Sequence, residues 1–167
     1  MNRVLAELGG FPDVQQLGRV ILRLLVVLIL GAVVGMQREL THQPAGLRTH
    51  MLVALGTALV VIAAQEVHMS SADLSRVIQG LVTGIGFVGG GAILKLTAEH
   101  EIHGLTTAAG IWLTAAASMT AAMGQIVTAV LGVLLGLLVL VAFARLEQRL
   151  GKRVSRDAAN LTPPPKS

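Results

Sequence analysis

Gly104-Leu105-Thr106-Thr107-Ala108-Ala109 opens a stretch without charged residues that extends to Met123 and contains Trp112. A second such stretch, residues 77–94, precedes it and contains Gly84-Ile85-Gly86-Phe87. Each covers about 18 to 20 residues, which is enough for a helix to cross a hydrocarbon core of about 30 Å. The most distinctive residues of this chain therefore belong to segments that span a membrane.

The rest of the chain repeats this pattern. Apolar residues make up 53% of the sequence and charged residues only 13%, with a mean hydropathy of +0.73, whereas soluble domains carry about 25% charged residues. No segment alternates polar and apolar residues with a period of two, and an open sheet cannot leave its edges in lipid. The fold class is therefore predicted to be all-α, a polytopic membrane protein. Its five transmembrane helices are predicted at about residues 20–36, 47–64, 77–94, 104–123 and 126–144.

These helices define a transmembrane domain over residues 1–144, followed by a basic cytoplasmic tail over residues 145–167 whose end is predicted to be disordered. Five spans place the two termini on opposite sides, and basic residues accumulate on the cytoplasmic side. With the C-terminus inside, that side holds nine of the 13 Lys and Arg residues and the outside holds four. We therefore predict an N-out, C-in orientation, although Arg3, Arg19 and Arg23 around the first helix favour the opposite one locally.

The third predicted helix carries the densest set of glycines. Small residues at four-residue spacing let two helix backbones approach closely within a membrane. Packing between helices of one subunit is the favoured interpretation, and a seam between two copies or an unwound segment beside a site are the alternatives. Gly31-x-x-x-Gly35 and Gly132-x-x-x-Gly136 show the same spacing in other helices, so the motif alone has low specificity. The predicted packing glycines are Gly80, Gly84, Gly86, Gly89, Gly90 and Gly91.

An offset of 58 residues aligns the first half of the chain with the second. It pairs Gly46-Leu47-Arg48-Thr49 with Gly104-Leu105-Thr106-Thr107, and Gly31 with Gly89. A biased composition produces some matches by chance, so coincidence and an internal repeat both remain open. An internal repeat would make helices 1–2 and 3–4 parallel hairpins, with both Gly-Leu-x-Thr turns on the cytoplasmic face.

Each Gly-Leu-x-Thr turn precedes a predicted helix, whose N-terminus carries partial positive charge and unpaired amide donors. Thr49 and Thr107 can cap these two helices through their hydroxyl groups. With Arg48 and Lys95 nearby, the two helix ends predict a site for an anion, which could be phosphate, a lipid headgroup or a carboxylate of a partner protein. Glu39 is expected to pair with Arg48 across the loop and so fix the first hairpin.

Other chemistry has weaker support in the sequence. His50 with Thr49 is the one candidate pair of base and nucleophile, so we do not expect an enzyme. His100 and His103 are weak candidates for metal ligands on a short loop, and no cofactor is expected. Mg²⁺ transport would need carboxylates near the membrane midplane, where the predicted helices have none. A transport path for a cation, proton or small solute through helices 3 and 4 is the alternative function, with Gln79, Thr83, Thr106, Thr107, Trp112 and Thr114 along it.

Several motifs together resemble the MgtC/SapB membrane proteins of bacteria over about residues 31–123. They are Arg38-Glu39, Ala45-Gly46-Leu47-Arg48-Thr49-His50, Gly84-Ile85-Gly86-Phe87, Gly89 to Gly91, Gly104-Leu105-Thr106-Thr107-Ala108-Ala109 and Trp112. The candidate functional residues are therefore Arg38, Glu39, Gly46, Arg48, Thr49, His50, Gln79, Lys95, Thr106, Thr107 and Trp112.

The resemblance implies a regulatory protein of the bacterial inner membrane that acts in magnesium limitation, acid adaptation or survival inside host cells. The expected partners are membrane lipids, another membrane protein such as ATP synthase, and a second copy of the chain, but no nucleic acid. Longer members carry a cytoplasmic domain after the fifth helix, whereas a short basic tail follows here, so we expect the membrane domain alone. Glu101 and Leu113 stand where virulence-type members have asparagine and cysteine, so a virulence role does not carry over automatically.

Overall fold

The computed structural model describes the backbone of residues 13–96 and 101–161 and the side chains of residues 13–93 and 104–143. Up to Val133 the chain forms one compact unit, and from Leu134 a second, which among the described residues is the remainder of the last helix. A short antiparallel hairpin of β1 (Leu94–Leu96) and β2 (Glu101–His103) precedes the fourth helix. The helices are α1 (Val14–Leu40), α2 (Leu47–Glu66), α3 (Ser71–Gly91), α4 (Leu105–Ala122) and α5 (Ile126–Leu161).

Four of the five helices are long and apolar enough to cross a membrane, namely α1, α2, α4 and α5 over Ile126–Phe143. The prediction of an all-α, polytopic membrane protein is confirmed. The remaining helix, α3, is long enough at 21 residues but less apolar, because Arg76, Gln79 and its glycines interrupt the apolar residues. It ends at Gly91, three residues before the predicted end, and Leu94 enters β1 instead.

The ends of the helices alternate between two faces of the bundle. The end of α1 contacts the start of α4, because Arg38 hydrogen-bonds Thr107. On the opposite face, Arg23 near the start of α1 hydrogen-bonds Gln65 at the end of α2. Since α2 ends on one face and α4 begins on the other, α3 has to cross between them despite its lower apolarity.

Two glycines set the close packing of α1 on α2. A Cβ at Gly31 would lie 2.9 Å from Ala54 Cβ, and one at Gly35 would lie 2.7 Å from Leu47 Cα. Glycine therefore allows the two backbones to approach closely, as small residues commonly do in membrane bundles. The buried core continues across α1, α2 and α4 with small and branched residues, including Val27, Val34, Ala54, Ala58, Val61, Ile111, Ala115, Ala121 and Ala122.

The glycines of α3 do not form the predicted seam within the chain. A Cβ at Gly89 would make an ordinary contact, 3.7 Å from Ala108 Cβ. The other five have no atom of the described residues within 4 Å of such a Cβ, so the described part of the chain shows no close packing at them, and their packing role stays a prediction. The helix is continuous through Gly91, which argues against an unwound segment. Contact with another chain is the alternative that remains.

The two hairpins correspond in part to the proposed repeat. A Cβ at Gly31 would lie 2.9 Å from the carbonyl oxygen of His50, and one at Gly89 would lie 3.8 Å from that of Ala108. Gly31 and Gly89 are 58 residues apart, and so are His50 and Ala108. A glycine also precedes both α2 and α4. The two hairpins are therefore parallel, with α2 and α4 starting on the same face, and the second is more loosely packed.

α1 and α2 each end with a histidine in the left-handed conformation. At the end of α1, the Gln43 N–H donates to the Arg38 carbonyl (3.0 Å) and the His42 N–H to the Glu39 carbonyl (3.0 Å). This pair of hydrogen bonds defines a Schellman C-cap, in which the left-handed position usually holds glycine. His42 occupies that position with a φ of 56°, and His68 does so after α2 with a φ of 53°.

His42→Gly is expected to stabilise the protein by about 1 kcal/mol, because glycine adopts this conformation without the steric conflict of a Cβ. His42 is exposed, so removing its imidazole disrupts no core contact. Thermal unfolding followed by the fluorescence of Trp112, the single tryptophan, measures the effect. His42→Ala is the matched control, since alanine loses the ring but keeps the strain. Equal melting temperatures for the two variants would contradict the explanation.

The predicted basic tail is helical as far as Leu161, as the continuation of α5. The side chains of residues 144–161 and the whole of residues 162–167 lie outside the described part of the protein. The cytoplasmic location of the tail and the predicted disorder at its end therefore stay predictions.

Candidate functional site

Arg38 lies in the last turn of α1 and is directed into the bundle, with only 3% of its surface exposed. Its Nη2 donates to Thr107 Oγ1 on α4 (2.7 Å) and to Gln43 Oε1 in the α1–α2 loop (3.0 Å). Its Nε is buried and has no hydrogen-bond partner. Both partners are neutral, and no described carboxylate lies within ion-pair distance. Because guanidinium stays protonated in proteins, the site contains a buried positive charge with no anion among the described side chains.

The start of α4 adds to this positive potential. Thr107 is the third residue of α4, so the guanidinium of Arg38 lies beside the positive end of the helix dipole. The N-cap is Gly104, with a φ of 93° and a backbone position where a Cβ would collide with the Ala92 carbonyl. Thr107 therefore binds Arg38 instead of capping α4. The prediction that Thr49 and Thr107 cap the two helices is wrong, because the N-cap of each helix is a glycine and neither threonine side chain bonds the first amides.

The carboxylate of Glu39, a residue at the end of α1, lies beside the start of α2. Its Oε2 accepts a hydrogen bond from the Leu47 N–H (2.9 Å), and a Cβ at Gly46 would collide with this carboxylate. The predicted ion pair between Glu39 and Arg48 is wrong, because the positive end of α2 and its unpaired amides bind the carboxylate instead. The N-terminus of α2 already has an anion supplied by the chain itself, which leaves less room there for an external one.

Arg48 is exposed, and it makes no ion pair with a described carboxylate. It lies in a cleft of about 560 Å³, here called the Arg48 cleft, which is lined by Glu39, Gly46, Leu47, Arg48 and Thr49. Thr49 also borders a cleft of about 330 Å³ between the α1–α2 loop and the end of α3, here called the Thr107 cleft. Its lining residues are Pro44, Ala45, Thr49, Val88, Gly91, Ala92, Thr107 and Ile111. The two clefts share Thr49, so an exposed and a buried arginine lie on one face of the bundle.

His50 is fully buried between α2 and α4. Its Nδ1 lies 2.7 Å from Thr114 Oγ1, and the Thr114 hydroxyl donates to the Gly110 carbonyl (3.0 Å). The Thr114 hydroxyl can therefore accept from His50 Nδ1, and His50 Nε2 is buried with no hydrogen bond to a described residue. Gly110 provides the space for the ring, because a Cβ there would lie 3.5 Å from His50 Cε1. The predicted pair of His50 with Thr49 does not form.

The opposite face holds a second polar cluster around Arg23. Its Nη1 donates to Gln65 Oε1 (2.8 Å) and to the Ala122 carbonyl (3.0 Å), where the helix dipole of α4 is negative. Fifteen residues separate Arg23 from Arg38, which is about 22 Å along α1. The two arginines thus lie towards the two edges of the hydrocarbon region. The partners of both arginines are neutral, but Arg23 lies at the negative end of the α4 dipole, whereas Arg38 lies beside its positive end.

Other predicted residues do not join this site. Gln79 lies on an exposed face of α3, Thr106 is exposed, and Trp112 is 47% exposed on α4. They share no face with the buried Thr114, so the predicted path through the third and fourth helices is not formed by the described residues. For Lys95 and His103 only the backbone is described, and His100 lies outside the described residues. Among the described side chains, no three His, Asp or Glu residues form a group that could hold a metal ion.

The sequence interpretation missed several polar residues of the bundle. Gln43 binds Arg38, and Ser118 is fully buried with no partner for its hydroxyl. One signal was available, because Thr107, Thr114 and Ser118 recur at spacings of seven and four residues and therefore share one face of α4. In a helix rich in alanine, such a stripe indicates the face that packs against polar groups of neighbouring helices.

An apolar helix bundle that buries an arginine and a histidine near one edge defines a polytopic membrane protein with an internal polar site. Residues 24–149 match the MgtC family, and this match covers most of the chain. The chain belongs to the MgtC family. No solved structure matches it.

Several named proteins are similar in sequence to this chain, which supports its assignment to the family. The protein SrpB of Synechococcus elongatus is 39% identical over 137 residues, covering 75% of this chain and 75% of SrpB. The putative magnesium transporter YhiD of Escherichia coli K12 is 39% identical over 137 residues, covering 78% of this chain and 63% of YhiD. The protein MgtC of Salmonella typhimurium LT2 is 36% identical over 105 residues, covering 63% of this chain and 44% of MgtC. The chain thus spans under two thirds of the length of YhiD and under half of that of MgtC.

Proposed function

We propose that this MgtC-family chain is a regulatory protein of the bacterial inner membrane that binds an anionic group on the face of the Arg48 and Thr107 clefts. In the N-out, C-in orientation this face is cytoplasmic. The observation that carries the proposal is the pair of arginines on that face, neither of which pairs with a described carboxylate. An exposed guanidinium binds carboxylate or phosphate with two parallel hydrogen bonds. The anionic group belongs to a lipid headgroup or to a membrane protein such as ATP synthase.

The distribution of acidic residues supports regulation over Mg²⁺ transport. Mg²⁺ binds through carboxylates and retained waters, so a conduit for it would place acidic side chains at the depth of the hydrocarbon. The acidic residues whose side chains are described, Asp13, Glu39, Glu66 and Asp73, all lie at or next to helix ends. The charged group that is buried, Arg38, repels a cation instead. A non-catalytic role is supported by His50, whose ring lies in the core against Thr114, away from either cleft.

Transport is the second candidate, favoured by the name of YhiD as a putative magnesium transporter. A route for a proton or small solute would need polar groups that follow one another across the bundle. The buried groups His50, Thr114 and Ser118 provide part of such a series, but Gln79 and Thr83 of α3 lie on an exposed face. The proposal of transport therefore has support from a relative and only partial support from geometry.

Arg48→Ala is expected to abolish function and to leave the protein folded and inserted, because Arg48 is exposed and holds no structural contact. Function is measured as restored growth under magnesium limitation in a strain that lacks the chain's own gene. Arg76→Ala is the matched control, since its side chain is 80% exposed on the opposite face and pairs with Asp73 at 3.7 Å. It should complement fully, and full complementation by Arg48→Ala as well would discard the proposal.

Ion flux in proteoliposomes separates the two candidates. Purified protein is reconstituted, and flux is followed under imposed gradients of Mg²⁺, H⁺ and K⁺. The regulatory proposal predicts flux equal to that of empty liposomes for all three. Selective Mg²⁺ or H⁺ flux that disappears in a His50→Phe variant would favour transport through the bundle.

A further inference from the structure

Among the described residues, α3 is largely uncovered by the rest of the chain. Of its 21 residues, Gly89 is the single buried one, whereas 10 of the 18 residues of α4 are buried. It still has to cross the membrane, because it connects the end of α2 to the start of α4 on the opposite face. A helix of this composition, exposed over most of its surface, is poorly matched to contact with lipid alone.

The polar residues of α3 fall on one exposed face, here called the Gln79 face. It is defined by Ser75, Gln79, Thr83, Gly86 and Gly90, all exposed. Their spacings of four, four, three and four residues place them along one side of the helix. Gln79 and Thr83 lie about 12 and 18 Å from the start of α3 at 1.5 Å per residue, which is at the depth of the hydrocarbon.

The carboxamide of Gln79 is the unsatisfied group on this face. The Thr83 hydroxyl donates to the Gln79 carbonyl of the preceding turn (2.9 Å), so it is satisfied within α3. Gln79 Nε2 has one long contact to Ser75 Oγ (3.4 Å), and its Oε1 accepts no hydrogen bond from the described residues. An amide that faces lipid without a partner costs several kcal/mol by the hydrocarbon scale, roughly 4–8. In the membrane, this face therefore needs a protein partner with hydrogen-bonding groups.

We propose that the Gln79 face packs against the Gln79 face of a second copy of this chain. Two copies inserted in the same orientation are related by a two-fold axis along the membrane normal, so each residue near the axis meets its own equivalent. A carboxamide carries both a donor and an acceptor and can pair with an identical carboxamide, whereas a charged side chain in that position would repel its equivalent. The described charges of α3, Asp73 and Arg76, pair with each other near its start.

The shape of the face fits the same partner. Gly86 and Gly90 present only backbone, so two α3 helices can approach closely and exchange the amide hydrogen bonds. Phe87 is 85% exposed beside them, and it provides a large apolar group next to a shallow surface. The interface is therefore self-complementary in hydrogen bonding and in shape. This inference goes beyond the proposed function and does not depend on the anionic site.

Cysteine cross-linking tests the proposal, because the chain has no cysteine of its own. Thr83→Cys places one thiol on the Gln79 face. Leu59→Cys is the matched control, since Leu59 is 48% exposed on α2 and lies twelve residues after the start of its helix, as Thr83 does. Both full-length variants are reconstituted in liposomes and oxidised with copper phenanthroline. Thr83→Cys should form disulfide-linked dimers, since a disulfide joins Cα atoms about 4.4–6.8 Å apart, and Leu59→Cys should remain monomeric.

Gln79→Leu in the Thr83→Cys background tests the amide pair itself. It makes α3 more apolar, so insertion is maintained, but it removes the reciprocal hydrogen bonds and should lower the dimer yield about threefold or more. Three results would overturn the proposal. They are equal yields for Thr83→Cys and Leu59→Cys, a Thr83→Cys yield that falls to the control level on tenfold lipid dilution, and a yield unchanged by Gln79→Leu.

Discussion

Gly35→Leu is expected to prevent the bundle from folding. A Cβ at this position would lie 2.7 Å from Leu47 Cα and 3.1 Å from the Leu47 carbonyl oxygen. These are backbone atoms at the start of α2, so they have no rotamer with which to move aside. Overpacking against side chains costs about 1–3 kcal/mol, and the cost here should exceed that range because two helices have to separate. A typical domain has only about 5–15 kcal/mol of stability to lose.

Gly132→Leu is the matched control for this prediction. Gly132 belongs to a glycine pair with the same spacing, yet no atom of the described residues lies within 4 Å of a Cβ built there. The added side chain meets no obstacle, so the melting temperature should stay close to that of the wild type. Size-exclusion profiles after detergent extraction and the thermal unfolding of both variants measure the difference. Similar yields and melting curves for Gly35→Leu and Gly132→Leu would show that the α1–α2 contact is not the tight one.

The sequence identified glycine spacing but did not identify which glycines are in contact. Spacing of four residues shows that two helices can approach closely, and the number of such pairs then pointed to α3. The structure places the close contact at Gly31 and Gly35, where a loop of six residues, 41–46, returns the chain as α2 directly onto α1. Loop length carries that information, because a short loop makes sequential helices antiparallel neighbours. The role of the exposed glycines of α3 depends on what packs against that helix, and a pattern within one chain does not reveal this.

The sequence predicted residues of the candidate site but not the contacts between them. Composition and the absence of charge located the spanning segments, because the bilayer sets their length and apolarity. The partners of Arg38 include Thr107, 69 residues away in the chain, and such a distance is set by how the helices pack. The sequence offered two positive partners for Glu39, namely the Arg48 side chain and the N-terminus of α2. The start of α2 binds it, because Gly46 brings the backbone within reach of the carboxylate.

Arg38→Met is expected to abolish function while leaving stability unchanged or raised. Only 3% of the surface of Arg38 is exposed, and its partners Gln43 and Thr107 are neutral. Desolvation of an unpaired cation costs several kcal/mol, and replacing buried charges with apolar residues of similar volume often stabilises a protein by about 1–4 kcal/mol. Gln43 is exposed and can bond water, and the Thr107 hydroxyl can donate to a carbonyl of the preceding turn. An arginine that stability alone does not favour indicates a role in binding.

Arg23→Met is the control that distinguishes the loss of Arg38 from the loss of an arginine in general. Arg23 donates to Gln65 Oε1 and to the Ala122 carbonyl at the end of α4, so its loss leaves acceptors unpaired and should destabilise the protein by about 1–3 kcal/mol. Growth complementation and thermal unfolding are measured on both variants. We expect Arg38→Met to be stable and inactive, and Arg23→Met to be less stable and active in proportion to the folded protein present. A destabilised Arg38→Met that still complements would assign Arg38 to structure, since a buried cation needed only for packing lowers stability when removed and has no anion to bind.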